Sequence, residues 1–193
     1  MKQLRLPIFT SKIKYYNLRI VPPELVYDQV TEFKKQFESL YGKQPLSGSK
    51  PHITLAAFKM NAKHQDLLIQ LLGQLGQKER FTLDIDTFDV FEGSRTLFLN
   101  ISKNEAIEGI HHDIQMLRDE HLKGKLKSFF ISDTPHMTIS KTTGKKMLYE
   151  SLQHFQKNGY SEQIEVNQLT LVSRSKYKTW DWAHHITLSE EEL

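Results

Sequence analysis

The chain has 193 residues, 38% of them hydrophobic and 25% charged, with a formal net charge of +3 at pH 7 and no cysteine. These values describe one large folded domain, or two lobes sharing a core, and exclude a disordered chain. They also exclude disulfides, thiolate catalysis and Cys-ligated zinc, and the modest charge suits small phosphorylated ligands or RNA ends better than long duplexes.

The start, Met1 to Pro7, is basic but lacks the apolar region and cleavage site of a secretory leader. No apolar run reaches the roughly 18 to 20 residues that span a bilayer. The expectation is a cytoplasmic protein without a membrane partner.

Residues 14–21 are rich in aromatic and β-branched groups and predict a strand, which Pro22-Pro23 stops. Pro23-Glu24 opens a helix, with Leu25, Val26, Val30, Phe33, Phe37 and Leu40 at helical spacing until Tyr41-Gly42. A loop over 43–50 leads into a strand at Pro51-His52-Ile53-Thr54. A second helix from about Asn61 carries Leu67, Leu68, Leu71, Leu72 and Leu75. Phe81 to Phe91 alternates as a strand, and the turn Glu92-Gly93-Ser94 leads to another over 95–101. A helix over about 104–123, a strand near 129–140 containing Pro135-His136-Met137-Thr138, and a helix over about 143–157 follow. Strands near 162–172 and 183–188 finish the chain.

The order strand–helix–strand–helix–strand thus occurs twice, over about 14–92 and 95–190, with one further strand. In both halves the second strand carries a Pro-His-x-Thr tetrapeptide. With 9 His and 13 Thr in the chain, random order yields about 0.6 His-x-Thr triplets, and about 0.02 with a preceding Pro. Residues two apart in a strand share a face, so each motif presents an imidazole beside a hydroxyl. Two such pairs across one pocket supply a base, an acid and two donors for an anion.

The paired motifs on equivalent strands of a repeated half resemble the 2H phosphoesterase superfamily, which includes 2'-5' RNA ligase and 2',3'-cyclic phosphodiesterase types. The resemblance implies an α+β fold, a single bilobal domain over 1–193. Two pseudo-twofold-related lobes of antiparallel strands, with helices outside, would form a central cleft. It implies that His52 and His136 face each other there as acid and base, with Thr54 and Thr138 holding the phosphate. Family members often carry a basic residue five positions after the second His, where Lys141 stands. They often carry Arg four positions after the first His, where this chain has Ala56. The basic, aromatic stretch from Arg174 to Trp180 resembles the family's variable carboxy-terminal hairpin, which can touch substrate.

The expected activity is a metal-independent phosphodiesterase, without cofactor, acting as a monomer on a 2',3'-cyclic phosphate or a 2'-5' linkage of a nucleotide or RNA end. The alternative is a nucleotide- or RNA-end-binding module with little turnover. Lys141, Tyr16 and Arg174 are the expected further substrate contacts, and Arg19 shares the first strand with Tyr16. Strand parity puts Lys141 opposite His136 unless the chain bends there. His185-Ile186-Thr187, outside the repeated slot, is read as chance, and His184 and His185 point to opposite faces. His111-His112 are expected on an exposed helix face, and Asp84, Asp86 and Asp89 as solvated carboxylates rather than metal ligands.

Overall fold

In the computed structural model, residues 12–157, 159–176 and 178–190 are described. The start Met1 to Pro7 and Tyr177 of the carboxy-terminal stretch lie outside them. β1 (Ile13–Ile20) is followed by α1 (Glu24–Tyr41), β2 (Ile53–Asn61), α2 (Gln65–Gly73) and β3 (Phe81–Phe91). Next come β4 (Thr96–Ile101), α3 (Glu105–Leu117), β5 (Leu126–Ile131), β6 (His136–Lys141), α4 (Lys145–Gln156) and β7 (Ser161–Val166). β8 (Gln168–Ser175) and β9 (Trp182–Thr187) complete the order.

The repeated order is present, with two refinements. The expected strand over 129–140 is two strands, β5 and β6, separated by Ser132 to Pro135, because Pro135 has no backbone N–H to extend a ladder. The stretch 162–172 is likewise two strands. β7 pairs with β3, and β8 pairs with β1.

All named strands join one nine-stranded sheet with antiparallel pairing, in the order β7-β3-β4-β6-β2-β1-β8-β9, and β5 pairs with β2. Pairing therefore crosses the boundary between the chain halves: β3 lies with β4 and β7, while β8 and β9 lie with β1. The β6–β2 contact at the centre is a single residue pair, Ile53 with Met137.

One face of the sheet is apolar. Tyr16, Leu18 and Ile20 of β1, Ile53, Leu55 and Met60 of β2, and Leu97, Leu99 and Met137 of β4 and β6 are nearly or fully buried. Such side chains contribute roughly 1.5–3 kcal/mol each. The helices cover this face crosswise, α1 against β6 and α3 against β2. In α1 the buried stripe is Val26, Val30, Lys34 and Phe37, while Leu25 and Leu40 are exposed, so a lysine holds a core position. Among the described residues no helix is long and apolar enough to cross a membrane.

Candidate active site

The Ile53–Met137 pair organises the site. Both side chains are fully buried, so the residues on either side of them project from the opposite, open face. In an antiparallel register about that pair, His52 lies across from Thr138 and Thr54 across from His136. The tetrapeptides 84 residues apart in sequence thus adjoin at the middle of the sheet.

Both imidazoles are anchored alike. His52 Nδ1 donates to the Lys50 carbonyl at 2.7 Å, and His136 Nδ1 donates to the Thr134 carbonyl at 2.8 Å. A carbonyl only accepts, so each Nδ1 keeps its hydrogen and Nε2 is left to exchange a proton. The prolines account for the anchor: the residue before a proline is held extended, and Lys50 and Thr134 are those residues.

Each motif is followed by a β-bulge. Leu18 pairs with Ala56 and Arg19 with Thr54, skipping Leu55. Leu97 pairs with Ser140 and Phe98 with Thr138, skipping Ile139. A bulge resets the alternation of faces and re-aims the residues beyond it. Lys141, which parity puts opposite His136, accordingly lines the same recess as His136 and Thr138. This recess, about 400 Å³, also takes in Phe91, Phe130 and Ser132. The Ile139 carbonyl accepts from Lys34 Nζ of α1 at 2.8 Å. Lys34 also donates to the Leu46 carbonyl at 3.3 Å and to Ser49 Oγ at 3.2 Å. It therefore ties the second motif to the loop that delivers the first. Ala56 is fully buried, which leaves no room for an arginine at that position.

The two rings differ in surroundings. Burial pushes His52 down to about 4, helped by the charges of Arg19, Lys34 and His136 and opposed by the Lys50 carbonyl. His136 is lowered by burial against the pull of the Thr134 carbonyl, and packs edge-to-face with Phe91 and Phe98, ring centres 4.8 and 5.2 Å apart. At neutral pH His52 is an uncharged imidazole beside cations that attract an anion. Asn17 Nδ2 donates to Thr54 Oγ1 at 3.2 Å, and Asn17 Oδ1 accepts from Arg19 Nε at 2.8 Å. With its oxygen engaged, the Thr54 hydroxyl keeps its own proton for the open face. Burial pushes Lys34 down to about 8.

Tyr16 is not part of this face. It is 1% exposed among the core residues, its hydroxyl donates to Gln65 Oε1 at 3.2 Å, and burial, with Asp66, pushes it up to about 12. Strand alternation explains the correction, since Tyr15, Asn17 and Arg19 are the residues of β1 that turn to the open side. Arg174, on β8 across from Tyr15, does not line the histidine recess; its guanidinium lies 4.7 Å from the Trp180 ring. His185 bonds Gln168 and Thr170 at the β9 edge. His111 is half-buried and lowered by burial rather than exposed, because α3 packs it toward the Leu55 carbonyl; His112, Asp84, Asp86 and Asp89 are exposed. Among the described residues no three His, Asp or Glu side chains gather to hold a metal ion. Lys34 and Asn17 escaped the sequence reading. The signal for Lys34 was a lysine at i+4 from Val30 inside an apolar stripe, whereas Asn17 carried none.

Residues 21–178 match the sequence model of the 2'-5' RNA ligase superfamily. No curated protein matches the chain in sequence. Among solved structures, E. coli LigT complexed with 3'-AMP is similar at 16% identity with a TM-score of 0.57, over 92% of this chain and 96% of that one. LigT complexed with NADP+ is similar at 18% identity and 0.55, over 93% and 96%. TT0787 of Thermus thermophilus is similar at 16% identity and 0.59, over 91% and 95%. At these identities the likeness establishes a shared fold.

Proposed function

The chain belongs to the 2'-5' RNA ligase superfamily, within the 2H phosphoesterases, and from that premise we propose that it is a metal-independent phosphodiesterase. Its substrate is a 2',3'-cyclic phosphate or a 2'-5' linkage of a nucleotide or RNA end. The observation that carries this reading is the matched anchoring of His52 and His136 through Nδ1. It leaves two proton-exchanging nitrogens beside two threonine hydroxyls. LigT, which shares the fold, has been crystallised with 3'-AMP and NADP+, and small nucleotides are the ligand class taken over from it here.

His52, neutral among cations, takes a proton from water through Nε2 as the water oxygen attacks phosphorus. The bond from phosphorus to the leaving ribose oxygen breaks, and protonated His136 gives its Nε2 proton to that oxygen. Thr54, Thr138 and Lys141 stabilise the charge that gathers on the phosphorane oxygens. Exchange with solvent then returns both rings to their starting states. A bound phosphate raises both imidazoles, which favours a charged His136 in the complex.

The test incubates the protein with 2',3'-cyclic nucleotides and 2'-5'-linked dinucleotides in EDTA, with products resolved by chromatography. Turnover in EDTA supports the reading, and turnover abolished by EDTA sinks the metal-free mechanism. Tight binding across the panel without turnover would assign the chain to the binding-module class.

A further inference from the structure

Beyond the histidine recess, on the β1–β8 side, two arginines crowd one aromatic ring. Arg19 Cζ lies 4.9 Å and Arg174 Cζ 4.7 Å from the Trp180 ring centre. Among the described residues neither guanidinium takes part in an ion pair. Arg19 donates Nε to Asn17, and Arg174 donates Nη1 to the Lys178 carbonyl at 3.4 Å. The Nε of Arg174 is buried and has no partner. Two like charges held together, one with an orphaned buried donor, are costly unless an anion joins them. The repulsion registers on Arg19, which burial and then Arg174 push down to about 10. Planar guanidinium forks match phosphate oxygens in pairs, and Trp180 fixes them by cation–π contact.

We propose that Arg19 and Arg174 form a second anion subsite, which takes a phosphate group of the substrate other than the one between His52 and His136. The inference rests on the reading that the reacting phosphate sits at the histidine pair. Arg19 pairs in register with Thr54, and Arg174 with Tyr15. Four residues of strand, about 13 Å of backbone, therefore separate the two arginine positions before their side chains converge on Trp180. A groove of about 610 Å³ adjoins Arg19 and runs between Val21, Tyr27, Lys50, Trp180 and Trp182. Its apolar walls are open to solvent, with Val21 43% and Trp180 39% exposed. It offers a planar base or sugar somewhere to lie while its two phosphates reach the histidines and the arginines. The substrate class so defined is a nucleotide with a second phosphate, either a terminal 5'-phosphate or the next phosphodiester of an oligonucleotide.

Equilibrium binding separates this inference from the catalytic reading, because it needs no turnover. Three probes are compared by calorimetry: adenosine 3'-monophosphate, adenosine 3',5'-bisphosphate, and a diadenylate ending in a 3'-phosphate. The bisphosphate, the diadenylate or both bind roughly 10- to 100-fold more tightly than the monophosphate, the range expected for charged hydrogen bonds. The first reports a terminal phosphate and the second an internal diester. In Arg174→Gln the advantage falls to less than about twofold, while Arg174→Lys keeps part of it, and matching melting curves verify that both variants fold. Equal affinity for all three probes, or an advantage that survives in Arg174→Gln, overturns the subsite even if phosphodiesterase turnover is normal. An advantage without turnover on any phosphodiester keeps the subsite and removes the catalytic reading.

Discussion

Replacing Lys34 by Met tests the pin that joins the two motifs. Lys34 is 4% exposed and gives its ammonium hydrogens to Ile139, Leu46 and Ser49. Burial moves it from 10.5 to about 8. At 1.36 kcal/mol per pH unit this is a penalty of about 3 kcal/mol on the buried charged form. The sign follows from linkage. Between pH 8 and 10.5 the unfolded chain holds the proton that the folded protein has released, so folding stability gains as pH rises. Lys34→Met lacks this titration. At pH 7 it removes a buried charge, which favours the variant, and orphans the Ile139 carbonyl, which costs roughly 1–3 kcal/mol. The two effects nearly offset. Urea unfolding of both proteins at pH 7, 8, 9 and 10.5 should show a difference that is flat up to pH 8. Above pH 8 it grows in favour of the wild type, by up to about 3 kcal/mol at pH 10.5. A difference that stays constant from pH 7 to 10.5 refutes the argument. With the bulge unpinned, kcat/KM should also fall, by roughly tenfold, the scale of a small misplacement in a catalytic site.

Substituting either His52 or His136 by Ala should lower kcat on the order of 10² to 10⁴ with folding intact. A loss confined to KM would reassign the residue to recognition. The kcat/KM profile should peak between about 4, where His52 loses its proton, and the ordinary histidine value near 6.5, below which His136 is held. The kcat profile should lie at higher pH, since the bound phosphate raises His136, and a kcat/KM maximum above pH 7.5 contradicts these roles. Ala56→Arg should destabilise the fold by about 3 kcal/mol or more, roughly 6–12 °C in Tm, because it buries an unpaired charge at a fully buried position. An unchanged melting curve there shows that the core face of β2 has room that the packing denies.

The sequence alone determined the parts that depend on local order. Alternation and helical spacing announced the strands and helices, and Pro-His-x-Thr on the second strand of each half marked both histidines and both threonines as candidates. What the sequence left open was decided by packing between distant segments. Strand parity misplaced Lys141 because a bulge depends on pairing with β4, a partner that local pattern does not reveal. Tyr16 was expected at the site from its place on the first strand, although alternation with Asn17 and Arg19 turns it to the core. The near-symmetric motifs gave no means to tell one histidine from the other. That distinction arises only when β1 brings Arg19, and α1 brings Lys34, to His52, while β3 and β4 bring Phe91 and Phe98 to His136. An imidazole's proton affinity is set by the charges and apolar surface around it, and here those come from segments far along the chain.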